Sequence, residues 1–275
     1  MNKLDKKSMI KYMVVGSYFL GANYLLGSEE FRDDWFFQAA KKGDCECVVR
    51  NMSDKNVKNW DNNGKTALHY AAKNGHKNVV QFLLDNGADV NAGAKGGLNE
   101  GRTALHYAAE NGHKKVVRFL LDNGADEKIK DGQGKTALHY AAEGGQFDIV
   151  TFLVLRNNIP VNARDNQGRT PLHYAAENGH KNVVRFLLDN GADVNTRTNN
   201  IPGLVLASMA PIYTGQTPID LVFQNKKGLK DEVVKDLVAL LRANGGKTNE
   251  ERNKEDTASY FERLRDFFPG GFFWR

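Results

Sequence analysis

Seven histidines and two cysteines are the side chains of this 275-residue sequence best suited to hold a metal or run acid–base and nucleophilic chemistry. An imidazole does such work where carboxylates, thiolates or further imidazoles converge on it. The spacing here points elsewhere. His69, His106, His139 and His173 each close a Thr-x-Leu-His string, and His76, His113 and His180 each open a second recurring stretch. Repeated slots account for all seven, so no histidine is left over for catalysis. Cys45 and Cys47 stand two apart on a predicted helix, where their side chains diverge. That excludes a disulfide between them, and half of a C-x-C metal site without a second pair reads as helix packing. No G-x-S-x-G, H-E-x-x-H or phosphate-loop string occurs, and the glycines close helices. The expectation is a chain that is not an enzyme, with no cofactor and no metal.

The elements that position these slots come from an internal repeat. Thr66 to Asn91 recurs as Thr170 to Asn195 with 23 of 26 residues identical, differing at Ala67/Pro171, Lys73/Glu177 and Gln81/Arg185. Further copies begin at Thr103 and Thr136, and a degenerate one at Thr217. The underlying period of about 33 residues belongs to solenoids and not to ordinary domains. Within a copy, Thr66 suits a helix N-cap, and Ala67, Leu68, Ala71 and Ala72 make a short first helix of small residues. Gly75 breaks it. Val79, Val80, Phe82, Leu83 and Leu84 then line a second helix that stops at Asn86-Gly87. Turn residues such as Asp165-Asn166-Gln167-Gly168 follow, as a projecting hairpin finger. Neither helix buries its apolar face alone, so stability is a sum over units and their interfaces.

Gly64 to Ala72 (GKTALHYAA) and Gly168 to Ala176 (GRTPLHYAA) resemble the ankyrin T-P-L-H-x-A signature. The resemblance covers about Trp35 to Thr248. It implies an all-α solenoid of paired antiparallel helices with β-hairpin fingers, a structural hydrogen-bonding role for the first histidine set, and a concave face that binds protein. The expected units span about 35–59, 64–91, 101–128, 134–162, 168–195 and 215–248, six with degenerate caps at both ends. In the first, Phe37 stands where the histidine belongs; in the last, Asp220 does. In the fourth, Arg156-Asn157-Asn158-Ile159-Pro160 replaces Asp-Asn-Gly-Ala-Asp, with Asn157 or Asn158 expected to take the left-handed position. Near-identical repeats rich in Asn and Lys are similar to those of ankyrin proteins in host-associated bacteria. That resemblance implies a cytoplasmic protein or an effector secreted into a host cell.

A net charge of +5 and a pI near 9.0 raise the question of nucleic acid. Lys65, Arg102, Lys135 and Arg169 form a basic row one residue before each motif threonine, while Lys73, Glu110, Glu143 and Glu177 form a largely acidic row beside it. Tyr70, Tyr107, Tyr140 and Tyr174 make a third row. A mixed groove suits a protein partner, so all three rows are expected partner contacts and nucleic acid is not expected.

Specificity belongs where the repetition stops. Gly93 to Gly97 lengthens one finger and reads as a flexible spacer. Between Asn195 and Gly215 an insertion carries Ile201, Leu204, Val205, Leu206, Met209, Ile212 and Tyr213 where other fingers are polar. It either contacts a partner or folds back on the last repeat. Residues 249–275 read as a charged linker followed by an amphipathic aromatic helix with Phe272-Phe273-Trp274 beyond it. Residues 1–34 carry lysines, an apolar run and then acids, which is either a targeting or anchoring segment or a helix shielding the first repeat. Membrane contact through 8–26 or 260–275 is the alternative to a soluble, monomeric scaffold or effector.

Overall fold

The computed structural model describes residues 29–156, 159–199, 215–225, 228–256 and 258. The 197–214 insertion beyond Asn199, the Asn157-Asn158 pair, the 8–26 run and the aromatic tail therefore lie outside the described residues.

Helices follow in pairs: α1 (Glu29–Lys42) with α2 (Cys45–Asn51), then a short α3 (Asp54–Lys58), then α4 (Ala67–Lys73) with α5 (Lys77–Asp85). The same unit recurs as α6 (Ala104–Glu110) and α7 (Lys114–Asp122), α8 (Ala137–Glu143) and α9 (Phe147–Leu155), α10 (Pro171–Glu177) and α11 (Lys181–Asp189), and α12 (Pro218–Gln224) and α13 (Asp231–Ala243). First helices stack on first helices and second on second, giving two helical layers. Every described element is helical or turn, as an all-α repeat requires.

Alanine pairs set the close approach of the first layer. Ala71-Ala72, Ala108-Ala109, Ala141-Ala142 and Ala175-Ala176 are fully buried beside Leu68, Leu105, Leu138 and Leu172. Seven-residue helices of this kind are too short to stand alone, so packing against neighbours holds them. The second layer contributes a Val-Val-x-x-Leu stripe, for example Val116, Val117 and Leu120. Together they form one continuous cluster from Phe36 to Leu241.

No strand occurs among the described residues, so the expected hairpin fingers take the form of tight turns. Each closes with single backbone bonds, such as Asp131 N–H to Lys135 C=O (3.0 Å) and Gly134 N–H to Asp131 C=O (2.8 Å). Too few residues run side by side for a ladder. The Gly93–Gly97 insert is ordered and not a loose spacer. Ala94 is buried and exchanges bonds with Arg102 and Gly101, Lys95 donates to Gly64, and Trp60 Nε1 donates to the Gly93 carbonyl at 3.0 Å. The Lys95 ammonium sits 3.4 Å from the Trp60 ring centroid. Beyond the last repeat, residues 249–256 are helical and held to it by Arg242–Glu251 (2.6 Å), Lys247–Glu255 (2.6 Å) and Arg197–Asp256 (2.9 Å). This charged stretch is therefore a cap in place of the expected linker, because its acids find cations on the repeat beneath.

Candidate protein-binding surface

Each regular unit begins with a threonine whose backbone N–H and hydroxyl both approach the histidine three residues on. At Thr136 and His139 the distances to Nδ1 are 3.1 and 2.9 Å. The opposite nitrogen, Nε2, reaches the next finger's carbonyl: Ala92 from His69 (2.9 Å), Ile129 from His106 (3.2 Å), Ala163 from His139 (3.0 Å) and Gln216 from His173 (3.2 Å). Nδ1 therefore accepts and Nε2–H donates, which assigns a neutral ring. Burial holds these four histidines down at about 4. Asp220 does the same capping work at the last unit, with Oδ2 2.8 Å from the Thr217 nitrogen.

The second histidine set ties neighbours together. His76, His113 and His180 each place Nε2 against a carbonyl at the end of the preceding unit's first helix, namely Lys41, Lys73 and Glu143. Gln146 occupies the same slot in its unit, donating to Glu110, and in the last unit Asn225, which aligns with Asn74, donates to Glu177. All seven histidines thus carry the framework. Cys45 and Cys47 are free thiols, half-buried on α2, and burial foremost raises the Cys47 thiol's pKa. Among the described residues no three His, Cys, Asp or Glu side chains gather as a metal site.

The three rows expected to face a partner converge into one interlocked array. Arg102 pairs with Glu110 (2.5 Å), Lys135 with Glu143 (2.9 Å) and Arg169 with Glu177, always within one unit and eight residues apart. In these three units the basic and acidic rows are therefore a single row of ion pairs. Arg102 lies 4.3 Å from the Tyr107 ring and 4.0 Å from Tyr140, and Lys135 lies 5.0 Å from Tyr140 and 4.3 Å from Tyr174. Cations and phenol rings alternate along the stack, with Lys65, Arg102 and Lys135 each bridging its own unit to the next. Arg102, Lys135, Tyr107, Tyr140 and Tyr174 are buried in it, while the glutamates and Arg169 keep partial exposure. Tyr70 and Lys65 are half-buried at the array's open end, and Lys73 is exposed. Ile201, Leu204, Val205, Leu206, Met209, Ile212 and Tyr213 lie outside the described residues.

A carboxylate that sequence reading passed over anchors three of the four tyrosines. Tyr70, Tyr140 and Tyr174 donate their hydroxyls to Asp61 (2.7 Å), Asp131 (2.5 Å) and Asp165 (2.6 Å). Burial, then this bond, raises the three phenols, Tyr70 to about 12. The same aspartates accept two backbone N–H groups of the finger, as Asp165 does from Gln167 and Arg169. The available signal was the aspartate nine residues before each of these tyrosines.

Fingers also bond to fingers: Lys95 N–H to Gly64, Gly132 N–H to Glu100, Asn166 N–H to Gln133 and Asn199 N–H to Gln167. Fixed in line, they present a preorganised edge beside the ion-pair row.

Comparison with known proteins agrees with this geometry. A family model described as ankyrin repeats (3 copies) matches residues 36–131 and 124–198. Palmitoyltransferase akr1 of Schizosaccharomyces pombe is 43% identical over 58 residues, 20% of this chain and 9% of that protein. The serine/threonine-protein kinase TNNI3K of Mus musculus is 47% identical over 47 residues, 16% of this chain and 6% of the kinase, and the Rattus norvegicus kinase matches equally. This chain thus spans under a tenth of these relatives, and the likeness is confined to repeats. With matched repeats over more than half its length, the chain belongs to the ankyrin-repeat family.

Proposed function

We propose that this protein is a non-enzymatic interaction scaffold or effector that holds one partner protein along its finger edge and first-helix face. Ankyrin repeats carry a protein-interaction role. The observation that supports the finer reading is the line of finger-to-finger hydrogen bonds, which fixes the edge before any partner arrives. Rigidity of this kind lowers the ordering cost of association. The interlocked rows supply stiffness, and their partly exposed glutamates and Lys73 supply contacts. The apolar 197–214 insertion adds specificity in this reading, since near-copies of one repeat distinguish partners poorly.

The test is affinity capture with the full chain and its Leu204→Asp, Leu206→Asp variant, with thermal unfolding and membrane flotation run beside it. Loss of capture at unchanged unfolding temperature supports the reading. Equal loss of stability would make the insertion part of the core, and flotation of the chain without capture would favour a membrane-held protein.

A further inference from the structure

The row of ion pairs is broken at one unit. Where α6, α8 and α10 end in Glu110, Glu143 and Glu177, α4 ends in Lys73. Lys65, the cation that would be paired, lies 5.6 Å from the Tyr70 ring and 5.2 Å from the Tyr107 ring, in the place its counterparts occupy. Among the described residues neither Lys65 nor Lys73 has a carboxylate within ion-pairing distance. Burial, then the like charges of Lys73 and Arg102, lower the Lys65 ammonium's pKa, and Lys41 adds to the same effect. Asp61 is the opposing charge, but its oxygens already accept from Tyr70, Asn63 and the Lys65 backbone. Lys41 and Lys73 are exposed.

We propose that the Lys65–Lys73 corner, walled by Tyr70 and Tyr107, is a socket for a glutamate or aspartate carboxylate on an acidic segment of the partner protein. The partner's carboxylate completes the cation–carboxylate pairing that the other three units make for themselves. A desolvated ammonium beside further cations gains more from such a pair than an exposed lysine does. A carboxylate of an acidic peptide fits better than a phosphate backbone because Arg102, Lys135 and Arg169 are already neutralised by Glu110, Glu143 and Glu177, which leaves no continuing row of free cations for successive phosphates. This inference rests on the reading that the first-helix face binds protein.

The experiment uses the full chain and a fluorescein-labelled peptide of alternating glycine and glutamate, with its glutamine counterpart as control, followed by anisotropy. Lys73→Glu installs the residue of the other units, so it preserves the fold, which thermal unfolding checks. It is expected to weaken the acidic peptide by roughly tenfold, whereas Lys115→Glu, the same charge change on an exposed site of α7, changes it less than about twofold. Binding should fade toward about 0.3 M salt. Equal binding by wild type and Lys73→Glu, equal loss in both variants, or tighter binding of oligo(dT) that Lys73→Glu abolishes would each overturn the socket. A photo-crosslinking residue at Asn111 separates the two readings. Protein crosslinks from wild type and Lys73→Glu alike would keep the scaffold and sink the socket; none from either would sink both.

Discussion

The Tyr140 hydroxyl donates to Asp131 at 2.5 Å, and that carboxylate also accepts the Gln133 and Lys135 backbone N–H groups. One acid thereby shapes a finger and locks a tyrosine of the stack. Backbone bonds identify its counterpart in the lengthened finger as Ala94, which bonds Arg102 and Gly101 as Asp131 bonds Lys135 and Gly134. The Tyr107 hydroxyl is accordingly buried with no partner. Ala94→Asp should supply it and stabilise the protein by about 1 kcal/mol, since a phenol bonded to a carboxylate replaces an unsatisfied hydroxyl. Tyr107→Phe should be nearly neutral, and Tyr140→Phe should cost ~1–2 kcal/mol by stranding Asp131. Chemical denaturation of the three variants checks the set; a costly Tyr107→Phe would contradict it.

Stability should fall on mild acidification. His69, His106, His139 and His173 stand near 4 in the folded chain against 6.5 unfolded, because burial disfavours the charged ring; protonating Nδ1 would also set it against the threonine N–H. Above 6.5 both states are neutral and the caps are intact. Below it the unfolded chain takes up protons first, so stability is lost as pH falls from 6.5 toward 4, at up to a few kcal/mol per histidine. His106→Gln should lower stability at pH 7 by about 1–3 kcal/mol and flatten the slope between pH 6.5 and 5. Urea unfolding across that range would decide it, an unchanged slope counting against the assignment.

Gly75 should tolerate no side chain. Its φ of 77° lies in the left-handed region, and an added Cβ would stand 2.5 Å from His113 Nδ1. Gly75→Ala should cost at least about 2 kcal/mol and displace His113 from the Lys73 carbonyl, while Gly124→Ala, left-handed but open, should cost ~1 kcal/mol. Thermal unfolding of the pair tests the difference, and equal costs would show that the ring moves aside freely.

The last joint depends on Asn195, which donates to the Gly245 carbonyl at 2.9 Å and accepts the Lys247 N–H at 2.9 Å. Asn195→Ala should cost ~1–3 kcal/mol and speed amide exchange in α13 and 249–256 before earlier units. Uniform acceleration along the chain would mean that the repeats open together.

Much of the fold was legible because a repeat states its own pattern several times. Thr66, Thr103, Thr136 and Thr170 mark helix starts, the Ala-Ala pairs mark close packing, and Asn86-Gly87 marks the stop, all through local chemistry within one turn. The histidine slots announced a framework role for the same reason. Glu251 and Asp256 were read as part of a linker because nothing local shows that Arg242 and Arg197 wait beneath them.

By itself the sequence determined the period, the helix pairs, their caps and the family resemblance, since those rest on backbone geometry and burial within about 33 residues. Tertiary structure decided what the charged and aromatic rows do. Lys135 and Glu143 could each face solvent until stacking sets Tyr174 against the ammonium and closes the pair. Neighbouring units must first be in place for that, because the low-dielectric slot in which cation, ring and carboxylate meet is made by two repeats together and belongs to neither sequence alone.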